Sequence, residues 1–201
     1  MSLDHQSLKE RQRAERENHP TNLALRVHRA LSWLDRAERC EDQDGRFIFL
    51  WIAFNAAYAN EIGDRERAPE LQVFESFLQK LVDLDRERVL YELIWTEFPK
   101  SIRMLLDNRF VFQPFWDYHN GRIDEQQWQD RFAGARAAAH RAVSAGNTAQ
   151  VLAIVLARMY TLRNQLVHGG ATWNSSVNRD QLRDCNAFLG KLVPFVILLM
   201  L

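Results

Sequence analysis

The 201-residue chain is poor in the residues that punctuate structure. It has eight glycines and five prolines, and alternating apolar–polar runs are almost absent. That scarcity excludes a β-sandwich or β-barrel, which needs frequent turns between period-two strands. Cysteine is scarce as well. Cys40 and Cys185 stand far apart and make no CxxC pair and no metal-ligand spacing with a histidine. A disulfide framework and a zinc knuckle are excluded, and two reduced thiols are expected. Long apolar runs are missing: the longest, Phe195 to Leu201, falls far short of the ~18 residues that a bilayer span requires. The segment from Met1 to Pro20 is charged throughout and has no apolar signal-peptide core. Charge of one sign is missing too, since 26 basic and 26 acidic residues cancel. The expectation is a cytoplasmic protein with no membrane contact, no cofactor and no metal.

What is present is helical periodicity. The chain is 47% hydrophobic and 26% charged, as globular domains are. Leu23, Val27, Leu31 and Leu34 form one stripe; Leu71, Phe74, Leu78 and Leu81 form another. Phe47 to Tyr58 is apolar on nearly every side, as a central buried helix would be. Val89, Leu90, Leu93 and Ile94 continue the pattern until Pro99 interrupts it. Polar caps paired with a glutamine three residues on announce three later helices: Asp124 with Gln127, Asn147 with Gln150, and Asn178 with Gln181. Apolar staples cross two of these caps, Ile123 to Trp128 and Val177 to Leu182. Pro194 is expected to bend or interrupt the last helix. The spacing predicts an all-α, single-domain bundle of about seven to nine helices over residues 20–201, preceded by a polar arm or helix over residues 1–19.

Chemistry concentrates at the end of one helix. From Asn147 to His168 that helix would be about 33 Å long. Its body, Val151 to Leu156, is apolar throughout, and it closes on Arg163, Asn164 and His168 before Gly169-Gly170. Glycine at that place stops a helix because it tolerates the left-handed conformation. Asn164 and His168, four residues apart, share a face, so the amide is expected to orient the imidazole. Arg163 lies about 140° around the axis from His168 and needs its long side chain, a frayed last turn or a second copy of the helix to meet it. Small residues at Ala153, Ala157 and Thr161 lead to the same face. They fit either tight packing inside the bundle or a two-fold contact between copies.

Between Arg131 and Arg179 there is no aspartate or glutamate, whereas Arg136, Arg141, Arg158, Arg163, His140 and His168 all fall there. Such a stretch favours a phosphate-bearing ligand, and arginine matches phosphate oxygens in bidentate fashion. Arg158, Arg136, Arg141 and His140 are therefore expected to bind phosphate or RNA around Arg163, Asn164 and His168. The alternative is that acids from other helices neutralise these arginines in space.

The sequence Arg163-Asn164-x-x-x-His168, closing a buried helix in an all-helical chain, resembles the R-x4-6-H motif of the HEPN superfamily. Phe49 to Tyr58 is similar to an early helix of the Apea-like HEPN branch, and Arg163 to Gly170 is similar to its motif helix. The resemblance follows helix order over most of residues 21–200 and matches in detail only at these two segments. It implies a metal-independent endoribonuclease acting as a homodimer in bacterial defence or a toxin–antitoxin pair. An antitoxin or defence-system protein would be its partner. His168 would be the general acid or base at the ribose 2′-hydroxyl, Arg163 would stabilise the scissile phosphate, and Asn164 would orient its neighbours. Gly170 stands where toxins silenced by a nucleotidyltransferase carry tyrosine, so that mode of control is not implied.

Other readings stand beside this one. A non-catalytic RNA- or nucleotide-binding module and a structural protein-interaction domain would both use the same fold. Basic residues at a helix C-terminus are also favoured by the helix dipole alone. Phe110, Phe112, Phe115, Trp116 and Tyr118 form either a stacking platform for bases or an aromatic connector packed on the bundle. The remaining histidines form no HxxxH or HExxH arrangement, and there is no Gly-rich phosphate loop or GxSxG elbow.

Overall fold

A computed structural model describes residues 3–58, 70–176 and 179–201. Among these residues there are ten α-helices and no strand, so the fold is an all-α helical bundle. The first four are α1 (His5–Glu15), α2 (Thr21–Glu38), α3 (Gln43–Tyr58) and α4 (Glu70–Leu84). Next come α5 (Val89–Glu92), a π-helical turn (Leu93–Glu97), α6 (Pro99–Asp107), a 3-10 turn (Arg109–Val111) and α7 (Gln113–His119). The series ends with α8 (Glu125–Ser144), α9 (Thr148–Val167) and α10 (Arg179–Met200). The Asn178–Gln181 cap, its Val177–Leu182 staple and the side chain of Leu71 lie outside the described residues. Contacts divide the chain into two compact units, residues 1–87 with 173–201, and residues 88–172.

In the first unit, residues 5–15 are a helix and not a loose arm. Asp4 accepts the Ser7 amide at 2.9 Å, and Leu8 and Gln12 are buried. The stripe on α2 buries Val27, Leu31 and Leu34, and α2 packs chiefly on α3. Asp42 starts α3 by accepting the Gly45 amide at 2.7 Å. No residue from Phe47 to Tyr58 is exposed, in line with the central helix expected there. Phe47, Leu50 and Phe54 form the centre of this core, joined by Leu189, Leu192, Val193 and Val196 of α10. A polar seam crosses from α10 to the start of α3: Arg179 pairs with the buried Asp44 at 2.7 Å, and Asn186 Nδ2 donates to the Gln43 carbonyl at 2.9 Å. The α10 helix runs through Pro194 without ending there. Pro194 is buried, so the lost backbone hydrogen bond is outweighed by apolar packing on both sides of it.

The second unit is built on α9, whose buried face carries Val151, Leu152, Val155, Leu156, Met159 and Leu162. Helices α6 and α8, with the 3-10 and π-helical turns, pack on it. Both halves of the Asp124–Gln127 capping box are made, at 2.8 and 3.1 Å. Asn147 caps α9 by accepting the Gln150 amide at 3.0 Å. Pro99 occupies the first turn of α6, where its missing N–H leaves no bond unmade.

Candidate functional site at the end of the ninth helix

The last turn of α9 closes as its sequence dictates. His168 is the C-cap residue and its N–H donates to the Asn164 carbonyl at 3.0 Å. Gly169 then takes φ of +73°, the left-handed conformation that costs other residues free energy, and the Ala171 N–H returns to the Gln165 carbonyl at 3.1 Å. The turn ties the chain back onto the helix and leaves the His168 side chain exposed.

Arg163 and Asn164 are half-buried neighbours, and Arg163 Nη1 donates to Asn164 Oδ1 at 2.9 Å. The expected amide–imidazole pairing is therefore replaced by an amide–guanidinium one. No hydrogen bond joins the His168 ring to either residue among the described residues: Arg163 lies about 140° around the helix from it, and the Asn164 amide oxygen is taken by Arg163. Asn164 orients the guanidinium, which itself has no acidic partner among the described residues. Ala157, Tyr160, Val167 and His168 are exposed along one face of α9, with Asn164 between them. Thr161, the third member of the small-residue stripe, is buried and donates to the Ala157 carbonyl at 3.4 Å.

Three of the basic groups expected around the site, Arg158, Arg136 and His140, have other neighbours. Arg158 is buried. It is 4% exposed, its guanidinium lies 4.4 Å from the Phe112 ring centroid and 5.7 Å from that of Phe132, and Nη2 reaches the Leu106 carbonyl at 3.5 Å. Burial pulls its pKa down to about 10, because a desolvated cation holds its proton less well. Arg136 is ion-paired with Asp107 at 2.7 Å, and His140 Nε2 lies 3.7 Å from the same carboxylate. Arg179 is committed to Asp44. The acids that pair with Arg136, His140 and the boundary residue Arg179 come from α6 and α3, which sequence distance conceals. Arg131 and Arg141 are exposed and unpaired among the described residues.

Phe110 and Gln165 were not expected to matter together. Gln165, between Asn164 and His168, donates through Nε2 to the Phe110 carbonyl, which also accepts the Trp116 indole N–H at 2.8 Å. The last turn of α9 is thus fastened to the aromatic segment after α6. Asn-Gln following the arginine was the visible signal, and its partner lay more than fifty residues upstream.

Both cysteines are free thiols. Among the described residues, no group of three potential ligands could hold a metal ion, and no helix is long and apolar enough to cross a membrane. Comparison with protein-family models, with curated proteins and with solved structures returns no match.

Proposed function

We propose that the chain is a metal-independent endoribonuclease of HEPN type, working as a homodimer in a cytoplasmic defence or toxin–antitoxin setting. The observation that carries this reading is the exposed His168 at the end of the turn in which Asn164 holds an Arg163 that has no acidic partner among the described residues. Cleavage uses residues from two copies. The imidazole of one copy takes the proton from a ribose 2′-hydroxyl, whose oxygen then attacks the adjacent phosphorus. The bond from phosphorus to the 5′-oxygen breaks, and the protonated imidazole of the second copy supplies the proton to that leaving oxygen. The products are a 2′,3′-cyclic phosphate and a 5′-hydroxyl. Arg163 faces the charge that gathers on the non-bridging oxygens, the kind of preorganised contact that lowers a barrier most. Imidazole suits both proton transfers because, as a residue type, it exchanges protons near neutral pH.

Two considerations support the dimer. Two copies supply one imidazole for each of the two proton transfers, and among the described residues no hydrogen bond fixes the imidazole within one chain. The exposed face of α9 bearing Ala157, Tyr160 and Val167 offers apolar surface beside His168 for a second copy. A silencing partner, antitoxin or other defence-system protein, would cover the same helix end.

RNA incubated with the protein in excess EDTA should be cut, and His168→Ala should lower the rate by about 10²–10⁴-fold, the usual worth of a general acid–base group. Because His168 is exposed, the variant should keep the parent's circular dichroism and melting temperature. Cleavage that persists in His168→Ala, or wild-type protein that binds RNA and leaves it intact, would overturn the nuclease reading.

A further inference from the structure

We infer that the aromatic cavity formed by the 3-10 turn, α7 and the start of α8 takes a guanine base of single-stranded RNA. The inference rests on the RNA reading above and gives it a base-binding subsite. The cavity holds about 450 Å3, inside the ~300–1,000 Å3 usual for small-ligand pockets. Rings of Phe110, Trp116, Tyr118 and Trp128 line it, with Arg109 and Glu125 supplying one charge of each sign. Proteins hold unpaired bases by stacking them on such rings, since every base has a π face.

The rings are fixed before any ligand arrives. Phe115 is buried and meets Phe110, Trp116 and Trp128 edge to face at 5.3, 5.3 and 5.2 Å between centroids. Trp116 is anchored by its indole bond to the Phe110 carbonyl, and Arg109 lies 5.0 Å from the Phe110 ring centroid. Trp128 is buried, and its indole N–H finds no hydrogen-bond partner among the described residues. A buried donor left in that state is costly unless something else brings an acceptor.

Glu125 sets the choice of base. A carboxylate has two acceptor oxygens and no donor. Guanine presents two neighbouring donors, N1–H and the N2 amino group, whereas adenine and cytosine each offer one amino group beside an acceptor. Arg109 is the group for the attached phosphate. A second cavity of about 690 Å3 shares Phe110 and carries Lys100 and Arg103 together with Asp107, so two cations and one acid stand where a strand could leave the base. Gln165 bonds to the Phe110 carbonyl and so ties the slot to the turn that holds Arg163 and His168.

Calorimetry on the full chain carrying His168→Ala tests this without any cleavage. Saturable binding of 5′-GMP is expected, with 5′-AMP at least five-fold weaker and ribose 5-phosphate not measurably bound. Trp116→Leu should weaken 5′-GMP roughly ten-fold or more, the loss typical of removing one stacking ring. Glu125→Gln, an exposed substitution that keeps the fold, should erase the preference for 5′-GMP over 5′-AMP. Ribose 5-phosphate binding as well as 5′-GMP, or 5′-GMP binding unchanged in both variants, would overturn the subsite. Wild-type protein that binds 5′-GMP yet cuts no RNA would instead overturn the nuclease reading and leave the subsite standing.

Discussion

Around Phe47, Leu50 and Phe54 the first unit closes on phenyl and aliphatic groups. The second unit adds to the aliphatic face of α9 a buried cation, Arg158, set against the neighbouring rings of Phe112 and Phe132. The first arrangement draws its stability from removing apolar surface from water. The second gives up part of that gain to keep a guanidinium out of water, recovering it through stacked π faces and the apolar stem of the side chain. The lesson concerns arginine. On one helix, five residues apart, Arg158 is buried in the interior and Arg163 stands half-buried in the last turn. The same residue type serves opposite ends, and only position on the helix separates them.

Substitutions can break that contrast. Phe54→Ala should cost about 4 kcal/mol in urea unfolding, since a fully buried phenyl leaves a cavity that the core cannot refill. A loss under about 1 kcal/mol would mean that the first unit is loosely packed. Arg158→Ala should cost about 3 kcal/mol for a similar reason, whereas Arg158→Met should cost less than about 1 kcal/mol or even stabilise, because it fills the space without a charge to desolvate. Nitrogen Nε of Arg158 has no hydrogen-bond partner among the described residues, which favours that outcome. Arg158→Met should also retain RNA as well as the parent; a marked loss in a filter-binding assay would return Arg158 to the ligand site.

The pH response sharpens the contrast from the first unit's side. Burial pushes the Cys185 thiol up to about 12 from an ordinary value of 9. An acid whose folded pKa is raised binds more protons folded than unfolded between those two values. Stability is therefore intact below pH 9 and falls as pH rises toward 12, by up to ~1.4 kcal/mol per pH unit. Urea unfolding of Cys185→Ala should show a shallower fall over that range, and identical slopes would remove this thiol from the account. The smallest effect belongs to Asp107. Asp107→Asn should change stability by less than about 1 kcal/mol, because its pairs with Arg136 and His140 are exposed. It should nonetheless strengthen RNA retention at low salt, as two basic groups lose their counter-charge; unchanged retention would place RNA away from α8.

Much of the fold was legible because helical periodicity records burial directly. Val27, Leu31 and Leu34 lie where their spacing put them, and the Asp124 and Asn147 caps bond as their chemistry demands. Arg158 was misread for want of the same test. It falls on the line Val151, Val155, Arg158, Leu162, and every other member of that line is buried. Periodicity placed it inside, while residue type drew attention to phosphate. Asp107 could not be read as the counter-ion of Arg136, since nothing local links residues 29 positions apart. The Gln165–Phe110 bond was hidden for the same reason. Helix ends and stripes are local facts, but the pairing of charges is settled by tertiary packing.

The first unit is discontinuous along the chain, with α1 to α4 before residue 88 and α10 after residue 172. On the ribosome, α3 therefore emerges long before the helix that covers part of its apolar surface. Residues 88–172 are contiguous and can close as they are made, since domains fold as units during synthesis. Through that interval Phe47, Leu50 and Phe54 have only part of their final neighbourhood. Nascent chains halted before residue 179 should be far richer substrates for a chaperone than the finished protein.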